Sequence, residues 1–322
     1  AAVESGVARM PILDWDEYRD RLEDYLGAER GVMRRLIHRA QREPMRIVFA
    51  EGEDPQVLRA AHIIVDEGIG KPVLLGRADE IARAQRDLDL PLDGCEVIDP
   101  STSTALGELA VEYFQLRCRK GVMYEEAKRD MLTRSHFGPM MVRRGMAEVY
   151  ISGQTRYFPS AIRPMLRVMS DRTGTRTVAA AHIAIQDGKY YVLADTSVNI
   201  EPTAEQLAAI AEGAHSLAVE IGLEPRIAML SFSTFGSVQA PSCDKMRRAA
   251  ELVRERHPSW CVDGEIQADI AVDPELLGRF TFSELHRPAN CLIFPCLDAA
   301  NIVFRLLRSL GGLTLIGPLL IG

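Results

Sequence analysis

Short apolar runs alternate with amphipathic helical stretches between residues 46 and 98, and this alternation restricts the fold more than any other feature of the chain. Residues 46–50, 72–75 and 97–98 read as strands, and 57–67 and 78–88 as the helices between them. Leu58, Ala61 and Val65 fall on one face of the first of these helices. Strands joined by helices at this spacing predict parallel pairing with helices packed on the sheet faces. A helical block follows over 104–120, 124–135 and 138–145. A strand over 147–151, a polar loop over 154–157 and a helix over 159–169 complete this half, with Pro159 in the first turn of the helix.

The character changes after residue 173. Residues 177–185 and 190–194 flank Gln186-Asp187-Gly188-Lys189, a hairpin signal that marks a second domain. A long Ala-rich helix spans 203–221, with Thr203 and Gln206 spaced as a capping box. A strand over 227–232, a loop, a helix over 242–257, strands over 262–266 and 291–294 and a helix over 299–310 follow. Residues 313–316 are expected to lead back toward the first domain. At the other end, 14–26 carries helix periodicity through Trp15, Tyr18, Leu22 and Tyr25, and 29–42 reads as a basic amphipathic helix stopped by Pro44. The expected domains are therefore 1–26, the tail of something preceding plus a linker helix; 27–173, a first α/β domain completed by 317–322 and further C-terminal residues; and 174–316, a second α/β domain used for dimerisation. Ala1 in place of an initiator Met, and a last residue inside an apolar strand, read as a piece of a longer polypeptide.

At 322 residues the chain is long enough for two cores, and 47% hydrophobic with 26% charged residues is a globular composition. A net charge of −7 argues against a nucleic-acid protein, which needs a basic face. The six cysteines, 95, 118, 243, 261, 291 and 296, form no C-x-x-C pair and read as buried free thiols of a cytoplasmic protein. The histidines show no metal-ligand spacing, and the apolar stretch 311–322 is too short to span a bilayer. No G-x-G-x-x-G occurs, so the dinucleotide fingerprint is absent.

The chemistry is concentrated in a few places. The run 227–232 opens onto Ser233, Thr234, Gly236 and Ser237 ahead of Pro241 and a helix. A strand, a hydroxyl-rich loop and a helix start together have the makings of an anion cradle. An ordinary βα turn accounts for the same residues. Arg117, Arg119 and Lys120 cluster at a helix end, and Arg156 and Arg163 bracket a helix start after Ser152, Gly153, Gln154 and Thr155. Guanidinium groups bind phosphate bidentately, whereas cations at a helix C-terminus also serve the macrodipole. Asp263, Glu265 and Asp269 form a carboxylate group whose simplest reading is solvation or pairing with arginine. His136, His182 and His286 have no Ser or Cys partner in a recognisable motif and read as structural.

Several of these segments together resemble a known family. Arg46-Ile-Val-Phe-Ala-Glu-Gly-Glu, Lys71-Pro-Val-Leu-Leu-Gly, Met229-Leu-Ser-Phe-Ser-Thr, Asp263-Gly-Glu-Ile-Gln-Ala-Asp, Leu292-Ile-Phe-Pro, Asp298-Ala-Ala-Asn-Ile and Ile316-Gly-Pro resemble the phosphate acetyl/butyryltransferases, from about residue 27 onward. Ala1-Ala-Val-Glu-Ser-Gly-Val-Ala, Asp14-Trp-Asp-Glu-Tyr-Arg and the segment 194–205 resemble the branch fused to multifunctional NADP-dependent malic enzymes. The resemblance implies two three-layer α/β domains with an interdomain cleft, as in isocitrate and isopropylmalate dehydrogenases, and pairing through the second domain. It implies that Arg117, Arg163, Ser231, Ser233, Thr234, Gly236, Ser237 and Asn301 bind acetyl-CoA or phosphate. Phe235 stands where active transferases carry lysine, and the Asp-Leu-Ser-Arg-Gly segment expected after the Gly-Pro motif lies beyond Gly322.

Three functions follow from that resemblance. The first is a regulatory acetyl-CoA-binding domain without catalytic residues of its own, attached to a malic enzyme that decarboxylates malate to pyruvate. NADP and a divalent cation would then belong to the malic enzyme part alone. The second is an active phosphate acetyltransferase. The third is a homodimerisation scaffold built on helices 203–221 and 299–310.

Overall fold

The computed structural model describes residues 28–169, 177–186 and 188–322. The expected linker helix over 14–26 and Asp187 of the hairpin lie outside them. The chain divides into two compact units, residues 36–175 and residues 176–322 together with 1–35.

The unit of 36–175 is entered by α1 (Ala28–Arg42), followed by β1 (Met45–Phe49), α2 (Pro55–Asp66), β2 (Gly70–Leu75), α3 (Ala78–Leu88) and β3 (Glu96–Ile98). Then come α4 (Leu106–Arg117), α5 (Tyr124–Met131), α6 (Arg134–Arg143), β4 (Val149–Ile151) and α7 (Phe158–Met169). The strands are parallel in the order β3-β2-β1-β4, as the strand and helix alternation predicts. Side chains two apart on a strand share a face. Val48, Val73 and Leu75 accordingly enter one core, with Leu109, Tyr113, Met131, Phe137 and Met140 of α4, α5 and α6. Phe49 and Leu74 enter the other, with Leu58, Ala61 and Ile81 of α2 and α3. Each fully buried Leu or Phe contributes about 1.5–3 kcal/mol, so two apolar faces need two helix layers. Asp54 starts α2 by accepting from the Gln56 and Val57 amides at 2.8 and 3.2 Å. Gly138 lets α6 lie directly on β4, because a Cβ there would stand 2.2 Å from the Tyr150 ring.

The other unit contains β5 (Ala179–Gln186), β6 (Lys189–Ala194), α8 (Ala204–Glu220), β7 (Arg226–Leu230), α9 (Pro241–Arg256) and β8 (Cys261–Ile266). The short helices α10 (Ala268–Val272) and α11 (Pro274–Leu277), β9 (Cys291–Ile293), α12 (Leu297–Leu310) and β10 (Thr314–Ile321) complete it. The sheet order is β10-β5-β6-β9-β7-β8, with β5 antiparallel to β6 and to β10 and the remaining pairs parallel. The Thr203–Gln206 capping box starts α8, whose buried face includes Leu207, Ala211, Ala214 and Ala218. Small residues let α8 run close over the strands, with α9 beside it. On the opposite face Leu230, Ile266 and Leu292 meet Ala271, Leu277, Ala300 and Phe304.

Three expectations are corrected. Residues 317–322 do not return to the first unit. Leu319–Ile321 continue β10 along β5, after an irregularity between Ile316 and Leu319. The exposed edge of the hairpin is nearer in sequence and satisfies the backbone of β10 directly. Gly213 of α8 gives room for Ile321, which lies 3.2 Å from where a Cβ would be. Second, α10 and α11 were not anticipated, although Asp273 before Pro274 is a helix-start signal and does cap α11. Third, Cys118 is exposed, whereas Cys243 and Cys291 are buried, and all six thiols are free. No described helix is long and apolar enough to cross a membrane.

Candidate functional site

In the unit of 36–175 the strand order places β2 and β3 on one side of β1 and β4 on the other. The carboxyl ends of β1 and β4 therefore flank the point where the winding reverses, which is where open parallel sheets bind ligands. Glu51 follows β1 and is buried, and Ser152 and Gly153 follow β4. Ser152 Oγ and the Gly153 amide both donate to Glu51 Oε1, at 3.2 and 3.1 Å. One carboxylate thus fixes the loop that leads to Arg156 and α7. Glu53, two residues on, accepts from the Arg77 amide at 2.9 Å and from Arg134 Nη2 at 2.6 Å. Arg163 projects from α7 and, like Arg156, is exposed and has no ion-pair partner among the described residues. Arg117 lies in the last turn of α4, with its Nε buried and without a hydrogen-bond partner. Glu51 was not singled out from sequence. Its signal is a carboxylate immediately after an apolar strand.

A second polar group lies within the same unit. Thr133 Oγ1 donates its one hydrogen to the Asp130 carbonyl at 2.6 Å, so the contact with His136 Nδ1 at 2.8 Å has the imidazole as donor. His136 Nε2 then faces Asp130 Oδ2 at 3.7 Å, too far for a hydrogen bond. Both atoms, and the hydroxyl of the fully buried Tyr113, lack a hydrogen-bond partner. Burial lowers the His136 pKa; Asp130 opposes this, and Arg167 and Arg156 add to it. Burial, followed by the Asp130 charge, raises that of Tyr113. Desolvation also pushes Tyr150 up to about 12. These groups stay in their uncharged forms near neutral pH.

The other unit holds the predicted loop, at the carboxyl end of β7. Ser233 and Thr234 are buried, and of the predicted loop residues Ser231, Gly236 and Ser237 reach the surface. The donors expected of an anion cradle are present in the loop, but they face inward. The Gly236 amide donates to Glu265 Oε1 at 2.7 Å, the Phe235 amide to the Glu265 carbonyl at 2.9 Å, and the Val238 amide to Ser233 Oγ at 3.0 Å. The amides of Ser233, Thr234 and Ser237 are likewise bonded within the loop, to Ser231 Oγ, Ser237 Oγ and the Thr234 carbonyl. Nor does the loop run straight into a helix start, since α9 begins only at Pro241 with no side-chain cap.

Phe235 adopts φ 48°, an uncommon conformation for a non-glycine residue. Its ring packs on Phe280 and Phe282 at centroid distances of 5.5 and 5.1 Å. Asn301, on α12, donates to the Thr196 carbonyl at 3.3 Å and accepts from Arg305 Nε at 2.8 Å. The carboxylates expected to be solvated or paired divide. Asp263 and Glu265 are buried and paired with Arg254 and Arg247 of α9, whereas Asp269 is exposed. Burial pushes the Glu265 carboxyl up, and the hydrogen bonds from Arg247 and Gly236 outweigh it, leaving the group below its ordinary range. Among the described residues no group of three or more His, Cys, Asp or Glu is arranged to hold a metal ion.

Arg117 and Arg163 therefore lie on one unit, and Ser231, Ser233, Thr234, Gly236, Ser237 and Asn301 on the other. This fold is shared with solved phosphotransacetylases. A phosphotransacetylase from Streptococcus pyogenes superposes with a TM-score of 0.85 at 31% identity, covering 91% of this chain and 90% of its own. The family model "Phosphate acetyl/butaryl transferase" matches residues 31–322, and the chain belongs to that family. Among its relatives, the NADP-dependent malic enzyme of Rhizobium meliloti is 36% identical over 326 residues, all of this chain and 43% of that protein. The phosphate acetyltransferase of Thermoanaerobacterium thermosaccharolyticum is 36% identical over 303 residues, 90% of each. The chain spans less than half of the length of the malic enzyme.

Proposed function

We propose that the chain is the acetyl-CoA-binding regulatory unit of an NADP-dependent malic enzyme. The observation that carries this reading is the extent of the matches. The malic enzyme relative aligns with the whole chain, whereas the family model starts at residue 31 and the acetyltransferase relative covers 90%. The exposed guanidinium groups of Arg156, in the loop after β4, and Arg163, on α7, have no ion-pair partner among the described residues, which supports an anionic ligand. Phe235, tied into an aromatic cluster, offers no cation where the resemblance places a lysine, which favours binding over acyl transfer. Malate oxidation, NADP and the divalent cation would belong to the remainder of the polypeptide. A regulatory role requires coupling of about 1–3 kcal/mol between acetyl-CoA binding and that remote chemistry.

Calorimetric titration of the chain with acetyl-CoA tests the reading. We expect saturable binding, weakened about tenfold or more in Arg163→Ala, since a hydrogen bond to a charged group is worth about 1.5–3 kcal/mol. No binding at millimolar acetyl-CoA would overturn it. The second reading, an active phosphate acetyltransferase, is favoured by the 36% identity to such an enzyme over 90% of both chains. Phosphate-dependent thiol release from acetyl-CoA, followed with a thiol reagent, distinguishes the two.

A further inference from the structure

The loop after β7 has the donor set of an oxyanion site, and the chain itself supplies the oxyanion. Glu265 Oε1 accepts from the Gly236 amide at 2.7 Å, from Arg247 Nη2 at 3.1 Å and from Ser233 Oγ at 3.2 Å. Its Oε2 accepts from Arg247 Nε at 3.0 Å. A backbone amide, a hydroxyl and a guanidinium fork converging on one carboxylate are the groups that hold phosphate or carboxylate ligands elsewhere. Glu265 is 0% exposed, so its charge persists only because these donors replace water. Arg247 is fixed in turn by Asp244 Oδ1, 3.0 Å from its Nη1. The Ser233 hydroxyl also meets Ser237 Oγ at 3.0 Å and accepts from the Val238 amide, so the turn closes around the same point.

We propose that Glu265 is the resident anion of the 233–238 loop, which is a built site for a small oxyanion closed by the chain's own carboxylate. While Glu265 is in place, the loop amides are closed to a ligand phosphate. What the loop offers a ligand is then Ser231, Ser237 and the exposed ring of Phe232. Removing the carboxylate opens a cavity with the donors still in position, and a small carboxylate such as formate is the class of ligand it takes. This inference rests on the contacts of Glu265 and does not require that acetyl-CoA bind anywhere.

The test is chemical rescue. Thermal unfolding of Glu265→Ala is followed in rising sodium formate, with sodium chloride at equal ionic strength as control. We expect a lowered midpoint that formate raises saturably by about 3 °C or more beyond chloride, and no such difference in the unsubstituted chain. A folded variant that responds to formate no more than to chloride overturns the proposal. Hydrogen exchange of the unsubstituted chain decides the matter if the variant does not fold. The Gly236 amide should be protected without added anion and unchanged by millimolar phosphate. Free exchange at Gly236, or protection that appears only with phosphate, refutes the resident carboxylate. Failed acetyl-CoA titrations would leave the rescue result untouched, and failed rescue would leave acetyl-CoA binding untouched.

Discussion

At the scale of single residues, the histidines show how burial turns a neutral side chain into a pH liability. His182 lies inside β5, its ring stacked on Phe304 at 4.5 Å and its Nδ1 2.8 Å from Thr196 Oγ1. Burial first, and then the Arg305 and Arg308 charges, lower its pKa to about 4. The folded chain therefore binds fewer protons than the unfolded chain between the ordinary histidine range near 6.5 and about 4. The stability associated with neutral His182 is fully present above the ordinary range and is lost as pH falls through that window. The loss is at most about 1.4 kcal/mol per pH unit for one proton. Urea midpoints measured from pH 7.5 to 4.5 should fall toward acid, and His182→Gln should flatten the profile. An unchanged slope in that variant would assign the acid sensitivity to other groups. The sequence reads His182 as structural, since it offers it no nucleophilic partner. The contact with Thr196 Oγ1 was not legible, because it depends on the pairing of β5 with β6.

At the scale of elements, local chemistry was well preserved in the folded chain. The Thr203–Gln206 spacing predicts a capping box, and both of its hydrogen bonds form, at 2.9 and 3.3 Å. Thr203→Ala should cost about 1 kcal/mol, read as a shift in denaturant midpoint at constant slope. A change below about 0.3 kcal/mol would mean that tertiary packing alone holds the first turn of α8. Elements whose form depends on distant partners were less legible. Glu265 reads as a strand carboxylate that is either solvated or paired with arginine, and only the packing of β8 against α9 shows that Arg247 and Arg254 reach Glu265 and Asp263. The hydroxyl-rich loop has the same history. Its donors could be counted in the sequence, but their direction follows from the neighbouring strand.

At the scale of the whole molecule, the chain carries separate cores on its two units. Phe137 is 0% exposed in the core formed by α4, α5 and α6. Phe137→Ala should cost about 3–5 kcal/mol. Hydrogen exchange should rise first in β1, β2 and β4, whose core contacts it removes, and only later in β6, β7 and β9. Uniform loss of protection across both sheets would show that the units unfold together. The expected boundary near residue 174 lies close to the observed division at 175 and 176. The expected return of 317–322 fails because edge pairing was invisible. Nothing in Leu319-Leu320-Ile321 states which of two sheets offers the open strand.

The sequence by itself determined the order and kind of most elements, the parallel character of the first sheet and membership of the transferase family. The elements rest on periods of 2 and 3.6 residues, on caps and on turns, which are properties of neighbours in the chain, whereas the family was legible through the resemblance of its motifs. The tertiary structure decided which polar groups meet. Glu51 with Ser152, Gly236 with Glu265, and Asn301 with Thr196 are separated by 101, 29 and 105 residues, and hydrogen-bond reach is about 3 Å. A buried carboxylate must find its donors wherever the fold brings them. The residues of an anion site can therefore be listed from the chain, whereas whether the site is open or already filled is fixed only by the strand packed beside it.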